Sequence, residues 1–231
     1  MVWRNLQRRQ TKSSGGYCCL KGTRRIPGIS LEKVIMIKIK KTSIEQAEKF
    51  QLTHKLWGTE AYKPTVYAQL AYDEDGFTVR FTVDGESNPL RNKKEHLSYV
   101  HEDSCVEFFA NFAPEQSKHY INFEVNAAGY MNVAFRTSRY DAEPLALADI
   151  EAFCITPVLY DNYWTVTYKI GFDFIKKYYP TFDINTCEYI LGNLYKCGDL
   201  TEMPHYVSYF MMGDKPDYHR PEYFGNFVVE H

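Results

Sequence analysis

Apolar and polar side chains alternate with a period of two from Asp103 to Arg136. Successive side chains of a strand point to opposite faces, so this period marks strands with one buried side. Ser104, Val106, Phe108, Ala110 and Phe112 share a face in the first run. Ile121, Phe123 and Val125 do so in the second, and Met131, Val133 and Phe135 in the third. The opposite faces carry Asp103, Glu107 and Asn111, then Tyr120, Asn122 and Glu124, then Asn132 and Arg136. Cys105 alternates onto that side as well. Neighbouring antiparallel strands of this kind give one apolar face and one polar face, the polar one exposed to solvent.

The same reading extends along the chain. Residues 65–72 and 77–83 alternate on either side of Asp73-Glu74-Asp75-Gly76, a hairpin turn. Strands are predicted at 152–159, 163–170, 189–197, 205–212 and 223–229, about ten in all. A helix is predicted at 42–50, with Ser43 as N-cap and Gln46 three residues on. Another is predicted at Phe172–Tyr179, stopped by Pro180. Gly85–His101 and Thr137–Asp149 lack periodicity and are expected to be long surface loops, where function often sits. The expectation is an all-β fold: an antiparallel β-sandwich of jelly-roll or immunoglobulin-like kind, with one or two short helices.

Composition supports this and divides the chain. Of 231 residues, 16% are aromatic, including 19 Tyr and 15 Phe, which favours strands. No apolar run approaches the ~20 residues of a membrane-spanning helix, so no membrane span is expected. Residues 1–35 hold eight Lys/Arg and one acid, whereas residues 36–231 hold 19 Lys/Arg and 28 Asp/Glu. The basic stretch is expected to be a disordered extension or a start assigned too early, with one domain over 36–231. It could instead be a nucleic-acid or membrane arm, or a targeting peptide, although not a secretory signal, since it lacks the apolar run of one. An acidic main domain repels phosphate backbones, so no nucleic-acid partner is expected there. The six Cys form no CxxC pair, so no zinc ribbon is expected. Reduced thiols and a cytoplasmic location are the default without a signal peptide, with an extracellular one left open.

The candidate chemistry is that of a grip on hydroxyls. Carboxylates, amides and a guanidinium meet on the polar face: Glu107, Asn122, Glu124 and Arg136. Glu107 and Glu124 as a pair could also hydrolyse glycosidic bonds, one as acid and the other as base or nucleophile. Against that, Arg136 as their counter-charge would lower a neighbouring carboxylate's pKa, the wrong direction for a general acid. Trp57 stands in a polar segment, where it either packs on a sugar ring or plugs the end of the sandwich. Tyr99, Tyr140, His219 and Arg220 sit on loops beside the polar strands, either as ligand contacts or as ordinary loop residues. Trp164 alternates with Val166 and Ile170 and is expected in the core. No phosphate-cradling glycine loop, HExxH helix or GxSxG elbow is present.

Four segments in order, Asp-Ser-Cys-Val-Glu-Phe-Phe (103–109), Asn-Phe-Glu-Val-Asn-Ala-Ala-Gly (122–129), Gly-Asn-Leu-Tyr-Lys-Cys-Gly-Asp (192–199) and His-Arg-Pro-Glu-Tyr-Phe-Gly (219–225), resemble the carbohydrate-binding module family 9-like proteins. The resemblance implies a β-sandwich related to the sugar-binding modules of xylanases, which assist polysaccharide breakdown without catalysis. It implies a mono-, oligo- or polysaccharide partner, no cofactor, and calcium bound structurally in some members. It also implies a sugar held between aromatic rings; Trp57 fits one ring, and a tyrosine would have to supply the other. The expected site is Glu107, Asn122, Glu124 and Arg136, rimmed by Trp57, Tyr99, Tyr140, His219 and Arg220. Two alternatives stay open: an O-glycosyl hydrolase, and a structural or protein-interaction sandwich whose polar face is simply solvated.

Overall fold

The computed structural model describes residues 36–231. The basic stretch 1–35, with Cys18 and Cys19, lies outside the described residues, together with the expectations attached to it. The described chain begins with β1 (Ile37–Lys41), β2 (Phe50–Leu52) and β3 (His54–Lys55). The hairpin β4 (Thr65–Tyr72) and β5 (Gly76–Asp84) follows. Next come β6 (Cys105–Asn111), β7 (Tyr120–Asn126), β8 (Met131–Arg136) and β9 (Glu143–Pro144). Helix α1 (Leu147–Glu151), β10 (Thr156–Leu159), β11 (Tyr163–Gly171) and α2 (Phe172–Tyr178) come after these. The last strands are β12 (Tyr189–Gly198), β13 (His205–Ser208) and β14 (Gly225–Glu230).

The strands form one curled sheet in the order β10-β11-β5-β4-β1-β14-β12-β6-β7-β8-β9. Its two ends fold over each other as the layers of a sandwich. Phe77 packs on Phe112 with ring centroids 5.8 Å apart, and Phe123 on Tyr168 at 6.1 Å. A single apolar cluster joins Leu70, Phe81, Trp164 and Ile170 of one layer to Phe108, Val125, Leu194 and Phe227 of the other. The residues that alternate inward in the sequence are the ones that fill this core, and Trp164 is fully buried there.

Three expectations are corrected. The sheet is mixed, because β1 runs parallel to both β14 and β4 and stitches the layers together. Met36-Ile-Lys-Ile-Lys-Lys is too short for its alternation to stand out, yet Ile37 and Ile39 are fully buried. The helix expected at 42–50 is a turn, closed by Gln46 N–H donating to the Ser43 carbonyl (3.1 Å), and the chain enters β2 at Phe50. The buried Ile44, Ala47 and Phe50 have a spacing a helix could also use, but Gln69 Nε2 donates to the Ile44 and Ala47 carbonyls (2.9 Å each) and Phe50 pairs with Ala68 of β4, so tertiary contacts override the cap signal. The irregular stretch 137–149 holds β9 and the start of α1.

Candidate functional site

The register sets the floor of the site. Glu107 on β6 lies directly opposite Glu124 on β7, and Glu124 opposite Asn132 on β8. Tyr195 on β12 faces Glu107 from the other side, and Cys197 faces Cys105. Farther along, Tyr120 faces Arg136. The groups predicted to share a face therefore do share one.

That face is not the open surface expected. Glu107, Asn122, Glu124 and Arg136 are each at most 7% exposed. Loops cover the face, and each is tied down by polar side chains of the motif segments. Asp103 Oδ2 accepts from the Lys93 amide (2.8 Å) and from Asn126 Nδ2 (2.9 Å). The Leu90 amide donates to Ser104 Oγ. A 3-10 turn at Val100–Glu102 then places His101, whose carbonyl accepts from the Asp199 amide at 3.0 Å. On the other flank, the His219 amide donates to Asp217 Oδ1 (3.0 Å), and His219 Nδ1 lies 3.0 Å from the Tyr120 hydroxyl.

Between the loops lies a pocket of about 410 Å3. Of the nine residues expected from the sequence, it is lined by Trp57, Tyr99, Glu107, Glu124, Arg136 and His219. The other three are elsewhere. Asn122 is fully buried beneath the floor, where its Nδ2 donates to Glu124 Oε1 (2.8 Å) and orients it. Tyr140 is 88% exposed and away from the pocket. Arg220 pairs with Glu222 and lies over the Tyr223 ring. Also lining the pocket are His101, Asn132, Arg139, Cys197, Asp199, Tyr206, Asp217 and Tyr218. Asn132 and Cys197 were discoverable by extending the period-two register across β8 and β12. Periodicity carries no signal for the loop residues His101, Arg139 and Tyr218.

Trp57 forms one wall. Its backbone is left-handed (φ 49°), which is costly for an indole-bearing residue and marks a position held by its surroundings. Its Nε1 donates to the Gly213 carbonyl (3.1 Å), and its ring packs against Tyr206 and Tyr218 at 5.6 and 5.4 Å. Tyr218 stacks in turn on Tyr195 at 4.1 Å. Tyrosines are thus the other rings of the pocket, and Tyr99, 68% exposed, stands at its rim.

Electrostatics separate the two glutamates. Burial, and then the neighbouring Glu124 charge, push the Glu107 carboxyl up to about 8. Cys197 Sγ donates to its Oε1 at 2.9 Å. Glu124 is buried too, but hydrogen bonding to His101 and Asn132 outweighs that penalty and holds its pKa below the ordinary range. His101 Nδ1 lies 3.7 Å from Glu124 Oε2, and this partner raises the His101 pKa against the effect of burial. The counter-charge of the glutamates is therefore His101 and not Arg136. The objection to a general acid that rested on Arg136 falls with it. Burial, then the Arg136 charge, lower His219 to about 4, so it is neutral at pH 7.

Cys105, Glu107 and Cys197 form the one group of three Cys, His or acidic side chains, among the described residues, whose ligand atoms lie within 4.8 Å of one another. Calcium takes six to eight oxygen ligands, so a pair of thiols with one carboxyl does not fit it. A larger hollow of about 790 Å3, beside Tyr62, Glu86, Arg91 and His205, contains none of the nine expected residues.

A family model described as carbohydrate-binding family 9 matches residues 38–229. Among solved structures, a candidate carbohydrate-binding protein from Bacteroides uniformis superposes with a TM-score of 0.68 at 22% identity, over 84% of this chain and 97% of that one. A family 9 carbohydrate-binding module from Caldicellulosiruptor kristjanssonii, solved with glucose, gives 0.60 at 13% identity over 85% and 96%. The same description with cellotriose gives 0.59 at 14% identity over 85% and 94%. At these identities the superpositions show a shared fold alone. No curated protein matches the chain in sequence.

Proposed function

The chain belongs to carbohydrate-binding family 9, and from that premise we propose that it binds carbohydrate, without catalysis, in the pocket over Glu107 and Glu124. The observation that carries this reading is the combination of an aromatic wall with a floor of hydrogen-bonding groups. Trp57 and Tyr99 offer ring faces for the axial C–H groups of a sugar, while Glu124, Asn132 and His219 offer polar atoms to its hydroxyls. The volume of about 410 Å3 suits one or two sugar rings. The two family 9 module structures, one with glucose and one with cellotriose, support the same class of ligand. Nucleic acid is left out of the proposal, since residues 36–231 carry 28 acids against 19 Lys/Arg. No described helix is long and apolar enough to cross a membrane.

A glycan array probed with the whole chain tests the reading. Binding to at least one glycan is expected, and Trp57→Ala should weaken it about tenfold or more, the ~1.4 kcal/mol per decade that a lost stacking face removes. No binding to any glycan would overturn it. One observation favours a second reading. Glu107 is raised and Glu124 lowered, which is the division of labour between an acid and a base. Release of sugar from a glycan panel, abolished by Glu107→Gln in a folded protein, would make the protein a glycoside hydrolase instead.

A further inference from the structure

Arg136 is the anomaly of the pocket. It is 7% exposed and lines the cavity, yet among the described residues it forms no ion pair with a carboxylate. Its Nε is buried without a hydrogen-bond partner. Its Nη1 donates to the Arg139 carbonyl at 3.3 Å, a long bond to a neutral group. The other charges in the pocket have partners. Arg139 reaches Asp217 Oδ1 at 2.8 Å, and His101 lies between Glu124 (3.7 Å) and Asp199 (3.9 Å). Removing a guanidinium from water without a counter-charge costs several kcal/mol, and a ligand that brings the missing negative charge recovers it. The fork of a guanidinium matches a carboxylate with two parallel hydrogen bonds.

The pocket is also polarised. Arg136 pairs with Tyr120, four residues along β7 from Glu124, so the strand rungs bearing the two groups are about 13 Å apart. One end holds the carboxyls that accept from hydroxyls, and the other holds an unpaired cation beside the neutral His219. We infer that the preferred ligand is an acidic sugar, a uronic acid whose carboxylate sits on Arg136 while its ring hydroxyls reach toward Glu124 and Asn132. This inference rests on the carbohydrate reading of the same pocket and narrows it. Arg136 is then the specificity-determining residue, since a neutral hexose of the same shape leaves the guanidinium unpaired.

The test compares D-galacturonate with D-galactose and D-glucuronate with D-glucose, by calorimetric titration of the whole chain at pH 7 and low salt. At least one uronate should bind tenfold or more tighter than its neutral parent. The methyl ester of that uronate, equal in size but uncharged, should lose the gain, which requires no change to the protein. Raising the salt should weaken the uronate more than the parent. Arg136→Gln should bring the ratio of uronate to parent affinity close to one. Galactose or glucose binding as well as its uronate would overturn this inference and leave the carbohydrate reading standing. Failure of all four sugars and of neutral oligosaccharides would overturn both.

Discussion

Glu107 shows most plainly how a single residue responds to its place in the fold. Its carboxyl is raised to about 8 by burial and by Glu124, whereas in an unfolded chain it would titrate near 4.5. The folded protein therefore holds a proton that the unfolded chain has lost between those values. For this group, stability is fully present below pH 4.5 and is lost as pH rises toward 8, with a slope of at most about 1.4 kcal/mol per pH unit. Glu107→Gln fixes the neutral form, so its melting temperature should fall less than that of the parent between pH 5 and 8 and exceed it at pH 8.5. Parallel melting curves across that range would contradict the assignment. The identity of the residue was legible from the sequence, because alternation put Glu107 and Glu124 on one face. Its burial was not, because the residues that cover it lie on loops 85–103 and 213–224, which have no period to read. The same blindness explains the choice of Arg136 as counter-charge. Face membership does not tell which neighbour a long side chain meets, and here His101 arrives from a loop to pair with Glu124.

At the scale of elements, strand β12 explains why the motif segments matter to the architecture. Its Tyr195 and Cys197 project toward the pocket, while Leu194 and the fully buried Lys196 turn inward. Lys196 Nζ lies over the rings of Tyr62 and Trp164, 3.7 Å from Glu86 Oε2. At the start of the same motif, Gly192 sits against β6. A Cβ added there would stand 2.4 Å from the Phe109 carbonyl oxygen, a backbone atom that cannot step aside. Gly192→Ala should destabilise the protein by about 1–3 kcal/mol, read as a lower midpoint in chemical denaturation. An unchanged midpoint would mean that β6 and β12 are less tightly fixed than described. The strands that pass through the core were readable because period-two alternation survives burial on one side. Strand β1 was not, because five residues carrying two isoleucines give little pattern. The helix expected at 42–50 failed because contacts from far along the chain, Gln69 holding the Ile44 and Ala47 carbonyls and β4 pairing with Phe50, override a local cap signal.

For the molecule as a whole, the curled sheet turns a face of four neighbouring strands, β12-β6-β7-β8, into the floor of an enclosed pocket. The sandwich was foreseeable from strand spacing and aromatic content. The parallel seam at β1 was not, since it joins residues far apart in the chain. The roof over the polar face has the same origin, being supplied by loops on which Trp57, Tyr99 and Tyr218 are set. The pocket over Glu107 is not the largest hollow of the described residues, and the one beside Tyr62 and His205 is an alternative place for a ligand to enter. A crystal structure of the protein with the tightest-binding sugar decides between them directly. The expected result is a sugar ring packed on Trp57, with hydroxyls within hydrogen-bonding distance of Glu107 or Glu124. A sugar lodged beside Tyr62 and His205, with the Trp57 pocket holding only water, would contradict the account.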